Sequence, residues 1–301
     1  MEHTSARDLS RWALLSIGAA LVTIALKTAA WLITGSVGLL SDAAESVVNL
    51  VAAVVAFVAL RIAARPADDD HQFGHAKSEY FSAVIEGVMI VVAAGVIIYS
   101  AVDRLIHPQE LESIGLGLAL SVVATMLNGA VAWLLLRVAR EHRSITLEAD
   151  GKHLLTDVWT TVGVVAGLVL VALTGWLPLD SIIAIAVAVN ILVVGYLLIK
   201  RSTTGLMDGA LAPVHQREID AVLDGFRSDG TIDFHDVRTR EAGATRFVQL
   251  HMLVPGEWSV QRGHDAVEEV EGALRAALDD LVVTVHLEPI DDPRAYESWR
   301  R

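Results

Sequence analysis

Residues 39–50 read LLSDAAESVVNL, inside the apolar run AAWLITGSVGLLSDAAESVVNLVAAVVAFVALRIAA (29–64). Asp42, Glu45 and Asn49 are spaced i, i+3, i+7, which puts them on one face of a helix with Ser46 beside them. An Asp at the centre of a membrane helix costs roughly 2.5–3.5 kcal/mol on insertion scales, so such residues mark pathways and sites. A polar stripe on a helix that is otherwise apolar needs a partner.

The composition sets the class. The chain has 301 residues, 53% hydrophobic and 20% charged, with a mean hydropathy of +0.51. That is more apolar and less charged than a soluble domain, and it points to an integral membrane protein. There is no Cys, which excludes disulfides and thiolate metal sites. The net charge of −13 is uneven: from Gly205 to Arg301, 10 Lys and Arg face 19 Asp and Glu. An apolar part therefore gives way to an acidic one near Gly205. The boundary is expected between 1–208 and 209–301. So acidic a tail does not suit nucleic acid.

Six apolar segments, 12–34, 37–62, 81–104, 113–138, 153–176 and 179–200, are each long enough to cross a ~30 Å hydrocarbon core. Basic residues orient them. Arg7 and Arg11 precede the first segment. Arg61, Arg65 and Lys77 flank the loop after the second. Arg137, Arg140, Arg143 and Lys152 flank the loop after the fourth, and Lys200 and Arg201 follow the sixth. Both termini are therefore expected in the cytoplasm, as an even number of spans requires. The tail then alternates in type. PVHQREIDAVLDGF and VQRGHDAVEEVEGALRAAL have helical periodicity, while FHDVRTREAG, TRFVQLHMLV and LVVTVHLEP alternate as strands. The order α-β-β-α-β predicts a small α+β domain with its helices on one sheet face. At this size it would gain from dimerisation.

Chemistry-bearing residues fall in three places. In the fifth segment, DGKHLLTDVWTTVG puts His153 and Asp157 at i, i+4. Imidazole and carboxylate are ordinary ligands of a divalent cation. Glu45 and Asn49 repeat the same spacing, so two facing helices would make a four-ligand cage in the membrane. That cage accounts for the polar stripe. The loop RPADDDHQFGHAKSEY holds Asp68, Asp69, Asp70, His71 and His75, with Pro66 and Gly74 to turn it. In the tail, His235, His251 and His286 lie on expected strands, with Glu288 nearby and His264 on the second helix. Asn128 and Asn190 read as hydrogen-bonding links between helices. Lys27 reads as a partner of Asp42 or a snorkelling cation, and Glu86 as facing other helices.

With WLITGSVGLL, RPADDDHQFGHAKSE, ADGKHLLTDV, LMDGALAP, HDVRTREAGATRFVQLH and VHLEP in view, the sequence resembles the cation diffusion facilitators. These are divalent-metal/proton antiporters, and the likeness is strongest to their bacterial zinc and iron efflux branch. It runs from about Trp12 to Asp291. The resemblance implies a transport site at Glu45, Asn49, His153 and Asp157, and a loop site at Asp68, His71 and His75. It implies a tail site at His235, His251, His264, His286 and Glu288, with ligands drawn from one or both protomers of a homodimer. Lys77 and Asp208 match a charge pair that locks the membrane part to the tail. The metals are substrate and bound ligand, Zn²⁺ first, with Mn²⁺, Fe²⁺, Co²⁺ and Cd²⁺ as alternatives; no prosthetic group is implied. The implied location is the bacterial inner membrane. This chain departs from the family pattern at Asn49, where Asp is usual, and at Glu288.

No G-x-x-x-x-G-K-[ST] loop is present, which leaves the proton gradient as the expected driving force. The sequence thus reads as a transporter and not an enzyme. Alternatives are a monovalent cation/proton antiporter, a membrane metal sensor that moves nothing, and an intramembrane metal hydrolase.

Overall fold

The computed structural model describes residues 9–34, 37–106, 116–176, 178–227 and 230–296. The side chains of 37–45, and of some other helix positions, lie outside that description, and with them fall Asp42 and Glu45. The chain divides into two compact units, with the division between Thr203 and Thr204.

The first unit is a bundle of six helices. They are α1 (Ser10–Thr34), α2 (Val37–Ala63), α3 (Ser78–Ile106), α4 (Leu116–His142), α5 (Ile145–Thr174) and α6 (Pro178–Leu206). At about 1.5 Å per residue their 25–30 residues reach across a bilayer. Among the described residues, four stretches are long and apolar enough to do so: Ser10–Ala29, Ser78–Ile106, Val122–His142 and Ser181–Leu206. α1 packs on α2 and α4, α4 on α5, and α3 on α2 and α5. The contacts are made by small residues: Ala13, Ala56, Ala83, Ala94, Ala124 and Ala132 are fully buried. A Cβ on Gly195 of α6 would sit 3.1 Å from the carbonyl oxygen of Gly87 on α3. Glycine at both positions is what lets these backbones approach.

One boundary differs from the sequence expectation. The fifth apolar segment begins at His153, but α5 begins eight residues earlier, at Ile145. α4 closes with Ser144 N–H donating to the Ala139 carbonyl, and Arg143 takes a left-handed φ of 53°. Ser144 then caps α5: its Oγ accepts from Leu147 N–H at 3.3 Å. Glu79, at the start of α3, completes the cap. Its Oε2 accepts from the Ser144 hydroxyl and from Thr146 N–H, and the Thr146 hydroxyl donates to its carbonyl at 3.2 Å. A carboxylate at a helix N-terminus also suits the helix dipole. The polar first turns of α5 are thus stabilised by a side chain from another helix.

The second unit contains α7 (Pro213–Arg227), β1 (Asp233–Ala242), β2 (Thr245–Val254), α8 (Val260–Ala277), β3 (Leu281–Pro289) and a 3-10 turn at Pro293–Tyr296. This is the expected α-β-β-α-β order. The sheet runs β1-β2-β3, with β1 antiparallel and β3 parallel to the central strand. Gly243, at φ +57°, opens the two-residue turn between β1 and β2. Pro213 starts α7, where a missing N–H costs nothing. Ser259 caps α8 by accepting from Arg262 N–H.

Strand alternation gives the sheet two faces. Val248, Leu250, Met252 and Val254 of β2 join Val283 of β3, Ile219 and Leu223 of α7, and Val270 and Leu274 of α8 in one core. His251 and Gln249 therefore point to the other side of the sheet, as do His286 and Thr284 of β3. That second face carries the polar site.

Candidate metal sites

In the membrane unit, α2 presents Asn49 toward the third and fourth turns of α5. His153 Nε2 lies 2.8 Å from Asn49 Oδ1, and Asn49 Nδ2 donates to Asp157 Oδ2. Asn49, His153 and Asp157 are 3%, 4% and 8% exposed, so the network is closed off from solvent. The i, i+4 spacing on α5 stacks the imidazole over the carboxylate, and one amide bridges them. His153 Nδ1 is buried without a hydrogen-bond partner. The Thr160 and Thr161 hydroxyls donate to the Asp157 carbonyl at 2.8 and 3.0 Å. Glu45, expected as the fourth member, lies one turn before Asn49 on α2, and its side chain falls outside the described residues.

Asn128 of α4 reaches the same place, which its reading as a helix link did not anticipate. Its Nδ2 donates to Asp157 Oδ2 at 3.4 Å. Asn190, given the same reading, is exposed on α6. Two more carboxylates are buried in the bundle, one of them a turn before His153 on α5. Glu86 accepts from the Ser82 hydroxyl at 3.0 Å and Asp150 from the Ser16 hydroxyl at 3.1 Å. Lys27 is buried on α1.

The 64–77 loop folds around Asp68. Its Oδ1 accepts from Asp70 and His71 N–H at 3.1 and 2.7 Å, a turn that aspartate readily makes. The His71 backbone N–H is the main cause holding the Asp68 carboxyl below its ordinary range, so it is ionised at neutral pH. Asp68 Oδ2 is 3.3 Å from His75 Nε2, and Oδ1 is 3.3 Å from His71 Nδ1. Gly74, at φ +81°, turns the chain so that the His71 and His75 rings approach to 4.4 Å. One ligand atom from each of these three residues lies within 4.8 Å of the others. Asp69 and Asp70 are exposed.

In the tail, register builds the site. His235 is paired with His251 across β1 and β2, and His251 with His286 across β2 and β3. Three imidazoles thus form a row across the face opposite the helices. Glu288, two residues beyond His286, lies among them: Oε2 is 2.9 Å from His235 Nε2 and 3.1 Å from His251 Nδ1, and Oε1 is 3.4 Å from His286 Nε2. The row opens on a pocket of about 370 Å³. His264 is not brought to this cluster; it sits exposed on the second turn of α8, whose other side packs on the sheet. Asp236 is a member that sequence reasoning missed. It occupies a bulge in β1 at φ 48°, lines the pocket, and places Oδ2 3.8 Å from His251 Nε2. A strand aspartate able to take the left-handed conformation was the available signal. Asp208 accepts from Arg240 within this unit, and Lys77 belongs to the other unit.

Comparison with known proteins places these features. The cation efflux transmembrane domain matches residues 13–207, and the cytoplasmic domain of cation efflux proteins matches 211–290. An uncharacterized transporter of Synechocystis is 50% identical over 97% of this chain and 94% of its own length. The cation-efflux pump FieF of Shewanella oneidensis is 31% identical over 91% of this chain and 92% of its own. Among solved structures, the putative zinc transporter CzrB is 34% identical over 26% of this chain and 96% of that one, with a TM-score of 0.25. Both parts of the chain are matched nearly end to end, and the protein belongs to the cation efflux family.

Proposed function

We propose that the protein exports a divalent metal cation, Zn²⁺ first, from the cytoplasm in exchange for protons. It works as a homodimer in the bacterial inner membrane, with both termini cytoplasmic. One observation carries this reading: Asn49, His153 and Asp157, from two helices, form a closed polar network inside an apolar bundle. Such groups are costly there unless they serve a pathway. Its members hydrogen-bond one another, and a cation has to replace those bonds. The amide oxygen of Asn49, the imidazole and the carboxylate then turn from partners of each other into ligands, joined by Glu45. Membership of a family with relatives called cation-efflux pumps supports the transport reading.

The division of labour follows 1–208 and 209–301. The first part moves the ion. The second pairs protomers and binds cytosolic metal through His235, His251, His286 and Glu288, with His264 reaching the same metals only if a second protomer supplies it. Asp68, His71 and His75 form the loop site, and Lys77 with Asp208 links the two parts.

Flux into reconstituted vesicles, with a panel of metals under an imposed pH gradient, tests the whole reading. Sodium or potassium in place of the divalent ion, or no flux at all with intact binding, would replace it with the antiporter or sensor alternative. Two variants test its parts. Asn49→Asp adds a carboxylate to the cage, and divalent competition profiles should shift, with tighter binding overall. An unchanged profile removes Asn49 from the ligand set. Replacing His235 and His251 together by Ala should weaken metal binding to 209–301 by about ten- to a hundredfold in calorimetry. Full-length flux should fall and not vanish.

A further inference from the structure

Asn128 is the buried group beside the site that hydrogen-bonds a proposed ligand and that the transport reading has not used. It is 1% exposed on α4, three residues from Thr125. The Thr125 hydroxyl donates to the Thr161 hydroxyl at 3.1 Å, and Asn128 Nδ2 reaches Asp157 Oδ2 at 3.4 Å. Two polar contacts one turn apart therefore fix the face of α4 against the site-bearing face of α5. Two amides, from Asn49 and Asn128, end on the same carboxylate oxygen. The carbonyl oxygen of Asn128 is buried with no hydrogen-bond partner. A lone carbonyl in an apolar bundle is expensive, at roughly 1–3 kcal/mol.

A cation changes which end of each amide is favoured. Once Asp157 Oδ2 faces a divalent ion, an N–H pointing at the same place is repelled and a carbonyl oxygen is attracted. Amide nitrogen and oxygen are nearly the same size, so a half-turn of the terminal torsion exchanges them with little movement of neighbours. That half-turn brings the orphaned Asn128 oxygen to the metal. We infer that Asn128 is a metal ligand from a third helix, which gives the cage a fifth donor, an oxygen beyond the two-helix set, and suits it to Mn²⁺ and Fe²⁺, which take more than four ligands, beside Zn²⁺. Tetrahedral Zn²⁺ is content with four ligands, whereas Mn²⁺ and Fe²⁺ bind more weakly per donor and gain most from added neutral oxygen. This rests on the transport-site reading at Asn49, His153 and Asp157.

The test is competition flux with the full-length protein in vesicles, using Mn²⁺ and Zn²⁺. Asn128→Leu should lower Mn²⁺ transport by about ten- to a hundredfold and Zn²⁺ transport by clearly less, so that the ratio of Mn²⁺ to Zn²⁺ flux falls. Asn128→Asp, which keeps an oxygen at the same reach, should retain Mn²⁺ transport and shows that the site tolerates substitution. Equal losses for both metals in Asn128→Leu would make Asn128 only a support for Asp157 and overturn the inference, as would no loss for either. Asp157→Ala, run alongside, separates this from the reading beneath it: normal flux of both metals there sinks the site itself.

Discussion

Asp157→Ala should abolish metal flux in reconstituted vesicles and leave expression and dimerisation intact. Asp157 is the one carboxylate among the described members of the membrane network, and it accepts from amides on two other helices, Asn49 and Asn128. Removing it takes away the negative charge that offsets dehydration of a divalent ion. Thr160 and Thr161 follow it, and both use their hydroxyls on the Asp157 carbonyl; Asp150, the acid on the same face, stands two turns before it and accepts from Ser16. The substitution also leaves two buried amides without an acceptor, at roughly 1–3 kcal/mol each. Asp157→Asn therefore belongs beside it, since it keeps the shape and an oxygen acceptor but not the charge. Both variants should lose at least about a hundredfold in flux, and Asp157→Asn should lose less in melting temperature. Wild-type rates in either remove the site from this place.

The second large effect is on proton coupling. With metal on the cytoplasmic side, acidifying the opposite face should accelerate export, and a pH indicator on the cytoplasmic side should report alkalinisation as metal leaves. The warrant is that, at the proposed transport site, protons and metal would use the same atoms. His153 offers a ring nitrogen that is either protonated or metal-bound, and Asp157 and Glu45 offer oxygens under the same rule. His153→Asn keeps a polar group beside Asn49 and removes the imidazole of the network. Its flux should lose most of its dependence on the gradient, even where some metal still binds. Full-rate flux with no proton movement, indifferent to a gradient of either sign, makes the protein a facilitated-diffusion carrier.

Periodicity made much of this legible. Spacings of four residues on α2 and α5 are enough to group Asn49 with His153 and Asp157, because a helix repeats its faces every 3.6 residues. Alternation on three strands did the same for His235, His251 and His286, which share a sheet face only if the strands pair in this register. What periodicity does not carry was hidden. Asn128 does link α4 to α5 by a hydrogen bond, as its reading expected, but that its partner is Asp157 is set only by the packing of α4 on α5. Asp236 was invisible because a bulge turns its side chain against the expected alternation. The start of α5 at Ile145 was missed because hydropathy sees no reason for ITLEADGK to be helical. His264 shares the sequence chemistry of the other histidines, but α8 directs it outward.

The Glu79 cap has a consequence for how the site can move. One side chain at the start of α3 holds the first turn of α5 through Ser144 and Thr146. His153 and Asp157 ride on that helix, about 13 Å and more along its axis from Ser144. Glu79 in turn stands four residues after His75 of the loop. If α5 slid or tilted alone to turn the site from one side of the membrane to the other, it would leave its cap behind, at about 0.5–2 kcal/mol. The cheaper motion carries α3 and α5 together as one rocking beam. Gly87 lies against Gly195, so α6 shares the load.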